Sequence, residues 1–125
     1  MPSYLDPEST DEAVYRVLEE VPAGRVTSYG AVAALLGLST PRRPAAAMRR
    51  APDGLPWWRM IRADGTLPPS LLARARGHWE REGTPHSALG AQPAARWEPT
   101  EEDEARILAR VEELCAAEGD GAQEA

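Results

Sequence analysis

The chain has 125 residues, enough for one compact domain of ordinary size and too few for a multidomain enzyme. It is 42% hydrophobic and 27% charged, no apolar run approaches the roughly 18 residues of a membrane span, and MPSYLDPEST lacks the basic-then-apolar layout of a secretory signal. Its 14 basic residues, all arginine, against 20 acidic ones give a formal charge of −6, which by itself argues against a polyanionic partner.

Ser9 and Glu12 have capping-box spacing, and Ala13, Val14, Val17, Leu18 and Val21 then recur at helical period, so a first helix is expected over about residues 10–21, stopped by Pro22, Ala23 and Gly24. Val26 and Thr27 suit a short extended piece. Thr27 or Ser28 then caps a second helix through Ala31, Val32, Leu35 and Leu36, ended by Gly37. Thr40, with Pro41 at the first helical position, opens a third helix to about Arg50; Pro44 is tolerable only in its first turn. Joined through Leu38, Ser39 and Thr40, the second and third helices read as a helix-turn-helix.

Trp57 to Arg62 is compatible with a strand, and the Asp64-Gly65 turn signal would pair Thr66 and Leu67 back as a wing. A fourth helix starts at Pro69, carries Leu71, Leu72, Ala75 and Trp79 on one stripe, and stops at Gly83. Residues 85–98, rich in Pro, Ala and Gly, read as a linker. Thr100 caps an amphipathic acidic helix, placed at residues 99–118, with Ile107, Leu108, Val111, Leu114 and Cys115 on its apolar face; residues 119–125 are expected to be a disordered tail. The fold class is therefore mainly α with a small β-hairpin, a winged helix-turn-helix-like domain over residues 1–84 plus an extra C-terminal helix.

Net charge resolves unevenly along this plan. Residues 1–24 carry one Arg against six acids, residues 25–81 ten against three, and residues 82–125 three against eleven. A basic middle between acidic flanks is the pattern of one face meeting phosphates, although a solvated surface of uneven charge would read the same way. Cys115 alone cannot build a disulfide framework or a cysteine zinc cluster, and His78 and His86 make no metal set, so neither metal nor cofactor is expected and a reducing cytoplasm is the natural compartment.

The ordered series Val26-Thr27-Ser28-Tyr29-Gly30, Gly37, Arg42 to Arg49, Pro56-Trp57-Trp58-Arg59-Met60-Ile61 and Asp64-Gly65 resembles the DNA-binding domain of the O6-alkylguanine-DNA alkyltransferases over roughly residues 12–84. Those enzymes carry Pro-Cys-His-Arg where this chain has Pro56-Trp57-Trp58-Arg59. A cysteine-less branch, the alkyltransferase-like proteins, has Pro-Trp-His-Arg, and this chain resembles that branch. Alkyl transfer needs an activated thiolate, and the indole of Trp57 can neither be deprotonated usefully nor accept an alkyl group, so no catalytic residue is expected. Cys115, on an apolar helix stripe, is expected to be an inert thiol.

The resemblance assigns the remaining roles. Tyr29 would press on the phosphate beside the target nucleotide, with Thr27, Ser28 and the helix start as further backbone contacts. Arg42 would enter the duplex in place of the flipped base, with Arg43 its neighbouring alternative. Ala45, Ala46 and Ala47 would present a smooth face to the minor groove, beside Arg49. Trp57 would wall the cavity for the alkylated base, with Trp58, Arg59 and Ser70 also placed at that pocket, and Arg59 forming an ion pair beneath it. Ser70 stands where some relatives have a larger polar residue, and Arg62 where the family has an asparagine that links pocket and turn. In a strand, Trp57 and Trp58 would face opposite ways. His78, Trp79 and Trp97 are assigned to packing or surface.

The expected function is a non-enzymatic sensor that binds O6-alkylguanine in double-stranded DNA through the minor groove, flips it, and flags it to nucleotide excision repair proteins, as a monomer with no membrane role. The rival from the residues alone is a winged-helix transcription regulator. A third reading is a suicide enzyme using Cys115.

Overall fold

Helical periodicity of apolar residues sets the framework of the computed structural model, which describes the backbone of residues 7–124 and the side chains of residues 9–114. Helix α1 (Pro7–Glu20) buries Ala13, Val14, Val17 and Leu18 on one face. It begins before the expected cap: Ser9 and Thr10 lie inside the helix and are buried. Helix α2 (Tyr29–Leu36) is capped by Ser28, whose Oγ accepts from the Ala31 amide at 3.1 Å, and it ends on Gly37 in the left-handed conformation. Helix α3 (Arg42–Arg49) takes Pro44 in its first turn, so its first regular bond is the Ala45 amide to the Pro41 carbonyl, at 3.2 Å. Tyr15 donates its hydroxyl to the Ala47 carbonyl at 2.7 Å, and Arg50 grips Asp11 through two 2.8 Å hydrogen bonds, fixing α3 across α1.

Strand β1 (Thr27–Ser28) runs parallel to β2 (Met60–Ile61), with Thr27 opposite Met60 and Ser28 opposite Ile61. The pair divides two cores, because successive strand residues face opposite ways. Met60 packs with α1, α2 and α3, while Ile61 joins Val26, Leu67, Ala75 and Trp79. Those last two residues belong to helix α4 (Pro69–Glu82), which Gly83 ends in the left-handed conformation.

Three expectations are corrected here. Trp57–Arg59 forms a 3₁₀ turn rather than the first half of a wing strand, and β2 is spent on the parallel pairing with β1. Asp64-Gly65 does make the expected turn, with the Arg62 amide on the Thr66 carbonyl and Asp64 accepting from both the amide and hydroxyl of Thr66. The antiparallel hairpin lies later, as β3 (His86–Ser87) and β4 (Gly90–Ala91), inside the expected linker. Residues 85–98 are therefore packed structure: the Val26 amide donates to Ala95, Trp97 donates back to Val26, and Ala95 is fully buried. The backbones of Gly65 and Gly90 touch so closely that a Cβ on Gly90 would sit 2.3 Å from the Gly65 carbonyl oxygen.

Helix α5 (Glu101–Glu124) starts as expected, with Thr100 and Asp103 capping reciprocally at 3.0 and 2.9 Å. It runs on to Glu124, within the stretch assigned to a disordered tail. Ile107 and Val111 enter the α1 core, and Arg106 and Arg110 close on Glu20 of α1 at 2.6 and 2.8 Å. The burial expected of Cys115 lies outside the described side chains.

Candidate nucleic-acid interface

A cavity of about 390 Å³ opens between the start of α2, the end of α3, the 51–55 loop, the 3₁₀ turn and α4. Its walls are mainly apolar and aromatic, with Tyr29, Met48, Leu55, Trp57, Trp58 and Leu71 among them. The 3₁₀ turn decides how the two tryptophans are used. Instead of facing opposite ways, both indoles line the same cavity, edge to face with centroids 5.8 Å apart.

Tyr29 opens α2 and is half-buried at the cavity wall. Burial pushes its phenol above the ordinary value, while the positive charges of Arg62 and Arg49 pull it back. The hydroxyl is therefore neutral at physiological pH, available both to donate and to accept. Thr27 and Ser28 are almost fully buried, and the Ser28 hydroxyl is occupied as the helix cap, so the structure withdraws both side chains from the surface and leaves Tyr29 as the forward residue of this turn.

Arg59 sits at the side of the cavity without lining it. Its guanidinium donates to both Glu82 oxygens at 3.1 and 2.5 Å and to the Val21 carbonyl at 3.0 Å, and its Cζ lies 5.8 Å from the Trp58 ring centre. Burial raises the Glu82 carboxyl, but hydrogen bonds from Arg59 and the Gly24 amide outweigh it and hold the group below its ordinary value. This bridge joins α4 to the 3₁₀ turn and to the end of α1.

On α3 the two adjacent arginines part company. Arg43 donates to the Thr10 hydroxyl of α1 at 2.9 Å, whereas the exposed Arg42 guanidinium has no hydrogen-bond partner among the described residues. The alanine run is likewise divided: Ala47 is fully buried against α1, and Ala45 and Ala46 remain partly exposed. Arg49 is exposed, and Arg50 is committed to Asp11.

Several lining side chains had no site role in the sequence reading, three of them on α4. Leu71, Arg74 and His78 recur at helical spacing and line the cavity, adjacent to the stripe of Ala75 and Trp79 that faces the core. That second stripe was the available signal. Arg74 lies with its Cζ 5.3 Å from the Trp57 ring centre, and His78 stacks on Trp58. His78 thus packs on Trp58 and, in addition, lines the cavity. Ser70 is exposed at the start of α4 and is not among the lining residues. Among the described residues, no group of three or more His, Cys, Asp or Glu side chains could hold a metal, and no helix is long and apolar enough to cross a membrane.

Comparison with known proteins points the same way. Residues 9–84 match the family described as 6-O-methylguanine DNA methyltransferase, DNA binding domain. A DNA base-flipping protein of Vibrio parahaemolyticus is 31% identical over 93 residues, which are 69% of this chain and 93% of that one. A DNA base-flipping protein of Escherichia coli is 35% identical over 63 residues, covering 48% of this chain and 49% of that one. Among solved structures, S. pombe Atl1 in complex with damaged DNA containing O6-carboxymethylguanine superposes with a TM-score of 0.63 at 28% identity, over 74% of this chain and 97% of that one.

Proposed function

This chain belongs to the 6-O-methylguanine DNA methyltransferase DNA-binding-domain family, in its alkyltransferase-like branch, and from that premise we propose that it is a non-enzymatic sensor of O6-alkylguanine in duplex DNA. The observation that carries the reading is the cavity itself: about 390 Å³, within the roughly 300–1,000 Å³ of small-molecule sites, walled by Tyr29, Trp57 and Trp58, and with no cysteine in its lining. An indole edge can hold an alkylated base by contact, worth about 1–3 kcal/mol per stacked base, but cannot take its alkyl group.

In this reading Tyr29 presses on the phosphate beside the lesion and turns the nucleotide outward, while Arg42, free at the start of α3, fills the vacated place in the stack. Filling it offsets part of an unstacking cost on the order of a few kcal/mol. Ala45 and Ala46 allow close approach to the minor-groove floor, and Arg49 adds charge toward the backbone. A reader of the major groove would need several polar base-reading side chains along α3; this helix exposes Arg42, Arg43 and Arg49 at its two ends, Arg43 is tied to Thr10, and Ala45 and Ala46 between them carry no base-reading group. Because the lesion is held and not repaired, the long-lived complex serves as a flag for nucleotide excision repair proteins.

The test is the affinity for matched duplexes carrying guanine or O6-methylguanine at one position, repeated with Trp57→Ala and Arg42→Ala. The sensor reading expects tighter binding of the lesion duplex, with the preference diminished in both variants. Equal affinity for the two duplexes would sink it, and a protein mass increase after incubation would reveal transfer to Cys115.

A further inference from the structure

At the wall of the cavity, α4 contributes one positive charge, the exposed Arg74, which lies against an aromatic ring. Arg74 is held over Trp57, at 5.3 Å from Cζ to the ring centre, and it makes no ion pair among the described residues. Of the nearby carboxylates, Glu82 is bound by Arg59, while Asp53, which also lines the cavity from the exposed 52–54 loop, forms no ion pair with Arg74. The Tyr29 phenol, held neutral, and His78, one helical turn beyond Arg74, are the other titratable groups facing the space; the His78 Nδ1 is 3.0 Å from an Arg81 guanidinium nitrogen. Burial and the neighbouring arginines favour its neutral form, so the imidazole adds no second positive charge at neutral pH.

We infer that Arg74 is a specificity-determining residue that favours O6 substituents bearing a carboxylate over neutral alkyl groups of similar size. The inference rests on the sensor reading above and adds the chemical class of adduct that the cavity prefers. A planar guanidinium over an indole keeps its outer N–H groups turned away from the ring, in the fork that suits a carboxylate. Ser70, the polar residue expected at this end of the pocket, is outside the cavity, so the charge comes from one turn further along the same helix.

The experiment measures affinity of the full chain for three matched duplexes, containing guanine, O6-propylguanine or O6-carboxymethylguanine, in the wild type, Arg74→Gln and Arg74→Lys. The carboxymethyl-to-propyl ratio is the readout, since any general loss of DNA affinity cancels within it. The wild type is expected to favour carboxymethyl by about five-fold, the scale of a partly exposed ion pair. Arg74→Gln should remove that preference, and Arg74→Lys should restore part of it. A ratio that is the same in wild type and Arg74→Gln, with propyl still preferred over guanine, overturns the role of Arg74 while leaving the sensor reading intact. Wild-type protein that binds all three duplexes alike overturns both.

Discussion

Trp58 and His78 stack face to face, with ring centroids 3.6 Å apart and planes 4° from parallel. A tryptophan from the 3₁₀ turn and a histidine from α4 thus form one wall of the cavity. By resemblance, position 58 holds a histidine in the alkyltransferases. Here the imidazole beside the pocket comes from a different element, 20 residues along the chain.

That histidine predicts a pH dependence. Burial, then the charges of Arg81 and Arg74, outweigh Glu82 and hold His78 below its ordinary value of 6.5. The folded protein therefore binds this proton less readily than the unfolded chain. Stability is complete above the ordinary value and falls as pH drops from there through the depressed folded value, becoming level below it. Urea midpoints measured between about pH 7.5 and 5 should fall further for wild type than for His78→Gln. Parallel curves would show that His78 is equally easy to protonate in both states.

The Arg59–Glu82 bridge should behave as a structural pair. Both side chains are mostly buried, at 17% and 15% exposure, and Arg59 also satisfies the Val21 carbonyl. Arg59→Ala would strand a carboxylate and a carbonyl, for a loss of about 2–3 kcal/mol, reduced from the fully buried case by the remaining solvent access. Arg59→Lys should recover only part of this, because an ammonium cannot reproduce the fork to both Glu82 oxygens. Chemical denaturation decides it, and a loss under about 0.5 kcal/mol in Arg59→Ala would contradict the bridging role.

The helices were the legible part of the sequence, because their apolar spacing, caps and glycine stops act within a few residues: Ser28, Gly37, Gly83 and Thr100 all sit where local chemistry places them. What escaped was pairing at a distance. Nothing local to Met60 says that it will lie beside Thr27, and Ala88 and Leu89, between the strands of the later hairpin, are not the usual turn residues. The cavity was half legible for the same reason. The resemblance marks Tyr29 and Trp57, but Arg74 and His78 come into play only once α4 docks against the 3₁₀ turn.

The C-terminal helix offers a contrast between charge and burial. Glu20 is held below its ordinary value, chiefly by its hydrogen bond from Arg106 against the opposing effect of burial, yet its partners are partly exposed. Ile107 is fully buried in the same interface. Ile107→Ala should therefore cost about 2–4 kcal/mol. Glu20→Gln should cost about 0.5–1 kcal/mol, shrinking as salt is added. If Glu20→Gln costs as much as Ile107→Ala at low salt and its cost shrinks as salt is added, the ion pairs and not the apolar face hold α5 in place.

Two glycines should respond in opposite directions. A Cβ on Gly90 would meet the Gly65 backbone, so Gly90→Ala must push the β3–β4 hairpin away from the 63–66 turn, at about 1–3 kcal/mol. Gly30 lies within α2 with nothing within 4 Å of its would-be Cβ, and Gly30→Ala should stabilise by about 0.5–1 kcal/mol through helix propensity. Thermal melts of the two variants should bracket the wild type. A Gly90→Ala melt equal to wild type would mean that the hairpin is not pinned against the turn.

The divergence of Arg42 and Arg43 gives the most direct separation of binding from folding. Arg43 is tied to Thr10, so Arg43→Ala removes a tether between α3 and α1 and is expected to lower stability by about 0.5–1 kcal/mol. Arg42 is tied to nothing among the described residues, so Arg42→Ala should leave the melt unchanged within about 0.5 kcal/mol. If Arg42 takes the place of the flipped base, the same variant should weaken binding to an O6-methylguanine duplex by about ten-fold, the loss of one charge-assisted contact of roughly 1.4 kcal/mol. The comparison needs both measurements on both variants. Should Arg43→Ala weaken lesion binding more than Arg42→Ala while its stability stays intact, the base-replacing residue is Arg43, and its bond to Thr10 must open when DNA binds.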